Sequence, residues 1–396
     1  MKKLKILFVI ESLHAAGGEK SLVTLLNELD YDKLDVDLQL LTYDGELQKY
    51  VPSQVNMLPA LDYMKFLSGD RPGSFSMWYS RLSFSVKSRI GNNRLHMTRA
   101  RKWWISVRNI IPVVNKEYDV AIAYSQCIPT FYVVEKVKAS KKIGWVNCIF
   151  HLEGKERKWQ KKFYEALDHI VLVSKAAQAH FEKVYPTLKN KMLFMPDLIS
   201  VNTISRMSEE MNSPYKDNVE NRLLTVARLD DKDKGYDILL KACKILKEKG
   251  LNFKWYALGR GKYKPTIEQF VRDNDLRDVF ILLGTTPNPY PFYKYCTIYV
   301  QTSRHEGFGL SIAEARVLNR PIVTTEYDSV YNQMIPFKNG LVVPIDPEAV
   351  ADAIIRLLED KDLYDSIVNY QRQEKKDNLE ELKKFYHVIG INSIRD

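Results

Sequence analysis

The stretch Ser303-Arg-His-Glu306-Gly307-Phe308-Gly309-Leu310-Ser311-Ile-Ala-Glu314 carries the sharpest chemical signal in the 396-residue sequence. A carboxylate accepts several O–H bonds at once, so Glu306 and Glu314 suit a hydroxyl-rich ligand. The two glycines let the backbone approach closely, and N–H groups leading into a helix offer donors to phosphate or sugar oxygens. The bland alternative is a helix capped by Ser303 with an acid in its first turn. A second cluster, Arg228 and Lys234, flanks a loop just before Gly235. Arginine would grip a diphosphate by its planar fork and lysine as a point charge. Between them Asp231 and Asp233 form a D-x-D pair that can hold a divalent metal. Set among cations ahead of a helix, the pair reads better as a solvated charge run, and no metal site is expected. A third feature is Gly17-Gly18, which follows an apolar run and precedes a helix-like pattern. Such a turn lets backbone N–H groups meet an anion, or is simply a tight turn. It is not G-x-G-x-x-G, and no acidic residue ends the next strand, so a dinucleotide site is not indicated. His14 beside this turn is either a ligand contact or structural. Glu19 and Lys20 read as a surface ion pair.

These clusters need a frame, and the hydrophobic pattern supplies it. Short apolar, β-branched runs at 6–10, 36–41, 120–124, 143–146 and 170–173 read as strands, and so do 223–226, 253–258, 279–283, 298–301 and 321–324. They alternate with helix-length amphipathic stretches. Apolar strands alternating with helices indicate parallel sheets covered on both faces. Ligands in such folds bind beyond the carboxyl ends of the strands, where all three clusters fall. The expected organisation is a domain over 1–200 with a basic-aromatic insertion at 60–115, a second over 215–372, and a terminal helical stretch at 373–396 that packs back on the first.

Composition removes other classes. Hydrophobic residues at 45% and charged residues at 27% indicate a globular chain. The four cysteines, widely spaced and without C-x-x-C, speak against a disulfide framework or zinc knuckle and fit a reducing cytosol. No apolar run reaches the ~18 residues of a membrane span. The Lys-rich, apolar start resembles a signal peptide but ends at Glu11, and is read as a buried first strand. The net charge of +10 is local: residues 71–108 hold nine basic residues and no acidic one, with Phe75, Trp78, Tyr79, Phe84, Trp103 and Trp104 among them.

In order and spacing, the pieces Gly17-Gly18-Glu19-Lys20, Ala227-Arg228 with Lys234-Gly235, Gly259-Arg-Gly261, Asn288-Pro-Tyr-Pro291 and Glu306 to Glu314 resemble the bacterial family 4 glycosyltransferases, particularly those that build capsules and exopolysaccharides. The resemblance implies a GT-B fold, α/β with two Rossmann-like domains facing a deep cleft, and a retaining, metal-independent hexosyl- or N-acetylhexosaminyltransferase. It implies a nucleotide-diphosphate sugar as donor, a UDP-sugar foremost, and no separate cofactor. Arg228 and Lys234 would bind the donor diphosphate, with Gly17 and Gly18 approaching it across the cleft. Glu306 would face the donor sugar near the reacting centre. The N–H groups of Gly307, Phe308 and Gly309 would meet sugar hydroxyls, and those of Leu310 and Ser311 phosphate oxygens. Glu314 would hold the ribose, and the stretches around Gly259 and Asn288 would line the base pocket. Departures concern the acceptor side. Asn147 stands where many relatives have a histidine, with His151 a possible substitute or an unrelated loop residue. Asp197 replaces an asparagine common near the domain crossover, and Thr297 an aspartate.

The acceptor of similar enzymes is a glycan, often linked to a polyprenyl diphosphate, so the basic-aromatic segment suggests peripheral docking on the anionic inner face of the cell membrane through Arg99, Arg101, Lys102, Trp103 and Trp104. The alternative is a covering helix pair whose arginines snorkel over the core; nucleic acid is not expected as a partner. For the whole chain the alternatives are a GT-B nucleotide-sugar epimerase and a catalytically silent partner in glycan assembly.

Overall fold

The computed structural model describes residues 2–14, 16–42, 45–61, 75–89, 97–147, 152–230 and 233–391. The chain divides into two compact units, Met1–Asp197 with Glu380–Asp396, and Leu198–Leu379. The expected class holds: each unit is a parallel sheet with helices.

In the first unit, β1 (Leu4–Ile10), β2 (Leu34–Leu40), β3 (Asn56–Met57), β4 (Glu117–Ala123), β5 (Lys138–Val146), β6 (His169–Leu172) and β7 (Met192–Phe194) pair in the order β3-β2-β1-β4-β5-β6-β7. β1 is central, pairing Ile6 with Val36 on one side and Val120 on the other. Its residues from Ile6 to Ile10 are buried on both faces, which is why the run shows no alternation. In the second unit, β8 (Asn221–Val226), β9 (Phe253–Leu258), β10 (Phe280–Gly284), β11 (Ile298–Gln301), β12 (Ile322–Thr325) and β13 (Leu341–Val343) pair as β10-β9-β8-β11-β12-β13. The strands β3, β7 and β13, of two or three residues each, have no counterpart in the sequence reading.

The boundary between the units falls at Asp197 and Leu198, so residues 201–214, left between the two expected domains, belong to the second unit. Ser200 caps the helix Val201–Ser208 by accepting the Thr203 N–H at 3.2 Å, and this helix belongs to the second unit. At the other end of the chain, the helix Glu381–Ile389 belongs to the first. Phe385 stacks on Phe8 of β1 at 6.2 Å between ring centroids and meets Trp145 of β5 at 6.4 Å. The Tyr386 hydroxyl accepts the Asp30 N–H at 2.7 Å.

The tryptophan pair expected at a membrane face is core instead. Trp103 is 2% and Trp104 0% exposed, and Lys102 is buried beside them. The helix Arg99–Val107 is turned inward because Thr98, its cap, donates to Glu156 at 2.9 Å and Arg101 lies 3.5 Å from the same carboxylate. The Trp104 indole N–H is satisfied by Glu135 at 3.1 Å. A buried indole cannot reach a headgroup, so Lys102, Trp103 and Trp104 are withdrawn from that role. Arg99 remains exposed.

Phe385→Ala should remove a large buried ring from the first unit and cost it about 3–5 kcal/mol. The readout is an earlier urea transition of that unit with the transition of the second unit unmoved.

Candidate functional site

The order of the second sheet creates a crevice. The chain leaves β8 for β9 on one side, while β11, on the other side of β8, leads on to β12. Loops at the carboxyl ends of β8 and β11 therefore diverge, the arrangement that opens a ligand site in such sheets. The loop after β8 carries Arg228 and Lys234; the loop after β11 carries Glu306.

Side chains fasten these loops together. Lys234 Nζ lies 2.6 Å from Glu306 Oε1, and the same oxygen accepts from Ser303 Oγ at 2.6 Å and Gln301 Nε2 at 3.0 Å. Thr302 Oγ1 reaches the carbonyls of Lys234 and Gly235 at 3.1 and 3.0 Å, and the Arg304 N–H donates to the Asp233 carbonyl at 2.7 Å. The Arg304 guanidinium forks onto Asp237 at 2.8 and 2.7 Å. Burial alone would raise the Asp237 carboxyl, but the arginine overrides it and holds the group below the ordinary carboxylate range.

Beyond Glu306 the chain enters the helix Leu310–Val317 through Gly309, whose φ of 81° and ψ of 48° are left-handed and favour glycine. The Gln333 amide donates to the carbonyls of Phe308 and Gly309, and Ser329 Oγ to the Glu306 carbonyl. Loop carbonyls are thus spent on the framework. Leu310 and Ser311 open the helix, where first-turn N–H groups have no intrahelical acceptor. One turn further on, Glu314 is only 2% exposed and takes the hydroxyls of Tyr290 at 3.3 Å and Tyr293 at 3.0 Å.

Arg228 is largely exposed and leans on Asp233 at 3.2 Å. Gly259 follows β9, and its N–H donates to the Gly284 carbonyl at 2.7 Å. Asn288 turns its amide to the framework, donating to the Met207 carbonyl at 2.8 Å and to Glu210 at 2.9 Å. Gln301, Ser303, Tyr290 and Tyr293 were missed as partners of the two glutamates. Tyr290 and Ser303 had a signal, lying inside the Asn-Pro-Tyr-Pro stretch and the Glu306 motif; Gln301 and Tyr293 had none.

The first sheet has its own reversal, between β1 and β4. Gly17 starts the helix Gly17–Asn27. A Cβ on Gly18 would stand 2.8 Å from Asn147 Nδ2, so the sequence-predicted pair Gly18 and Asn147 are neighbours. Asn147 Nδ2 donates to the Tyr124 carbonyl at 2.8 Å. Beneath them Ser21 Oγ joins the Tyr124 hydroxyl at 2.9 Å and Asp197 at 2.6 Å. Burial pushes the Asp197 carboxyl up to about 6. His14 faces Glu46 at 3.2 Å, while His151 and Asp231 lie outside the described residues. Burial, and then the charge of Glu19, raise the Glu11 carboxyl at the end of β1, with Arg99 opposing. Among the described residues there is no group of His, Cys, Asp or Glu fit to hold a metal ion, and no helix long and apolar enough to cross a membrane.

Comparison with known proteins follows this geometry. Residues 207–374 match the family described as glycosyl transferases group 1. The chain is 23% identical over 263 residues to an uncharacterized glycosyltransferase, MJ1059, of Methanocaldococcus jannaschii, covering 58% of this chain and 64% of that protein. It is 27% identical over 169 residues to the capsular polysaccharide biosynthesis glycosyltransferase CapM of Staphylococcus aureus, covering 40% of this chain and 44% of CapM. The matches thus span less than two thirds of these relatives' own length. In fold it is similar to a variant of S. aureus TarM solved with fondaparinux, alpha-GlcNAc-glycerol and UDP, at a TM-score of 0.69 and 15% identity over 98% of this chain and all of that one. The resemblance read from the motifs is borne out, and the fold is that of the GT-B glycosyltransferases.

Asp197 gives a test with a defined sign. Its folded pKa, about 6, lies above the ordinary carboxyl value of 3.8, so the fold holds the proton more tightly than the unfolded chain. The stability this lends is full below about pH 4 and lost as pH rises through about 6. Asp197→Asn stays neutral throughout. It should match the parent near pH 4 and be more stable by roughly 2–3 kcal/mol near pH 8, as read from thermal melts. A difference independent of pH would remove this account.

Proposed function

We propose that the chain transfers a sugar from a nucleotide-diphosphate donor, UDP-linked foremost, to a hydroxyl of a glycan acceptor in the assembly of a surface polysaccharide or glycolipid. The observation that carries this reading is the ion pair of Lys234 with Glu306 across one strand reversal in the second unit, with Arg228 on the same loop as Lys234 and Glu314 on the helix that follows Glu306. The UDP bound to TarM and the capsule role in the name of CapM support it.

In this reading the bond between the anomeric carbon and the β-phosphate oxygen breaks, and the acceptor oxygen bonds to that carbon on the same face, with retention. The acceptor proton leaves with the diphosphate. Negative charge develops on the leaving group, and Arg228, Lys234 and the first N–H groups of the helix Leu310–Val317 meet it, so the chemistry asks for no metal ion. Lys234 has a carboxylate partner already, and an incoming diphosphate shares its three donors. Glu306, held by Gln301 and Ser303, stays aimed at the sugar. Glu314 takes the ribose hydroxyls beside Tyr290 and Tyr293. The acceptor, in the reading a polyprenyl-diphosphate-linked glycan on the cytoplasmic side, is handled by the loops of the first unit that carry His14 and Asn147, while Gly18 meets the donor diphosphate.

The two central residues separate experimentally. Lys234→Ala should abolish the rise in melting temperature given by UDP and cut turnover about a hundredfold or more. Glu306→Ala should keep the rise with UDP while losing turnover to a similar degree. Normal transfer in either variant would remove the role assigned to it.

A further inference from the structure

The helix Phe75–Arg89 presents an exposed apolar stripe. Phe75 is 81%, Tyr79 64% and Trp78 50% exposed, and Leu82 and Val86 continue the stripe with nearly half of each exposed. The spacing 75, 78, 79, 82, 86 places them on one side of the helix. The orientation is fixed by the opposite side. Ser80 is buried, Phe84 packs against the core that contains Trp103 and Trp104, and Ser83 and Lys87 meet Ser106 at 3.5 and 3.3 Å. The Phe75 and Trp78 rings stack at 5.9 Å between centroids, so the aromatics form one plate rather than scattered side chains.

Charge decides what covers this face. The helix has Arg81, Lys87 and Arg89 and no acidic residue, and residues 71–108 as a whole carry nine basic residues and no acidic one. A helix without acidic residues, with an aromatic patch and an aliphatic continuation, is the pattern of a helix lying in a lipid interface: the rings sit at headgroup level and the exposed Arg89 faces anionic lipid, while Lys87 is turned inward to Ser83 and Ser106. We infer that the helix Phe75–Arg89 docks the protein on an anionic lipid surface through Phe75, Trp78, Tyr79, Leu82 and Val86. The inference rests on this surface and not on the transferase reading, and its test reads binding rather than turnover.

The test is cosedimentation of the full chain with vesicles of equal parts phosphatidylglycerol and phosphatidylcholine, against phosphatidylcholine alone, at low and high salt. Binding is expected to anionic vesicles and to weaken with salt. The triple variant Phe75→Ser, Trp78→Ser, Tyr79→Ser should bind about tenfold more weakly or worse with an unchanged melting temperature, since all three side chains are exposed. Brominated lipids in the same vesicles should quench the fluorescence of the parent, and quench the Trp78→Phe variant far less, a readout that holds if the triple variant folds poorly. Equal binding to neutral vesicles, undiminished binding by the triple variant, or equal quenching in Trp78→Phe would overturn the inference. A parent that ignores vesicles but is dimeric in sedimentation, with the triple variant monomeric, would also overturn it and give the face to a second copy of the chain.

Discussion

Lys234, Gln301 and Ser303 all donate to a single oxygen, Oε1 of Glu306, and the geometry of the second unit's crevice depends on that convergence. The donors come from two loops that diverge from adjacent strands. Without them the two loops would be held together by the bonds of Thr302 and Arg304 to backbone carbonyls and by Arg304 to Asp237. A half-buried ion pair is costly to break from one side, since the survivor keeps its charge in a place with little water. The pair therefore draws the loops together more than it adds to global stability. Thr302 and Arg304 repeat the logic with backbone carbonyls as targets, so the crevice is laced by side chains where regular structure cannot reach.

The first unit floors its own strand reversal with a hydrogen-bonded network. Ser21, Tyr124, Asn147 and Asp197 join by hydroxyls, an amide and a carboxyl that burial inclines toward its neutral form. Hydroxyl and amide networks of this kind satisfy themselves in low dielectric at less cost than charges do. One strand reversal is thus floored by a lysine–glutamate pair and the other by a hydrogen-bonded carboxyl that burial makes reluctant to ionise.

Much of this was legible in the sequence, for reasons that can be named. Central parallel strands are apolar on both faces, so runs such as 6–10 and 253–258 stand out against amphipathic helices. The edge strands β3, β7 and β13 are too short to leave a pattern. Arg228, Lys234, Glu306 and Glu314 were visible because their residue types and strand-end positions coincide. Their partners were not: Tyr293 is brought to Glu314 by packing, and Gln301 is one strand-end polar residue among several. The basic-aromatic segment shows the limit most plainly. Composition located it, but only the helix orientation told Trp103 and Trp104, which fill the core, from Phe75, Trp78 and Tyr79, which leave it. Asp197 likewise stood out only as a departure from an asparagine common in relatives, and its burial is what raises its carboxyl.

The helix Glu381–Ile389 has a consequence for how the protein is made. Phe8 is synthesised before the whole second unit, and Phe385, which stacks on it, after that unit. During synthesis the first unit must wait, with an apolar flank of its central strand uncovered, while the whole second unit emerges and folds. The unit begun first is completed last. A polypeptide that stops before this helix, however well its second unit folds, leaves the Phe8 flank of the first unit uncovered.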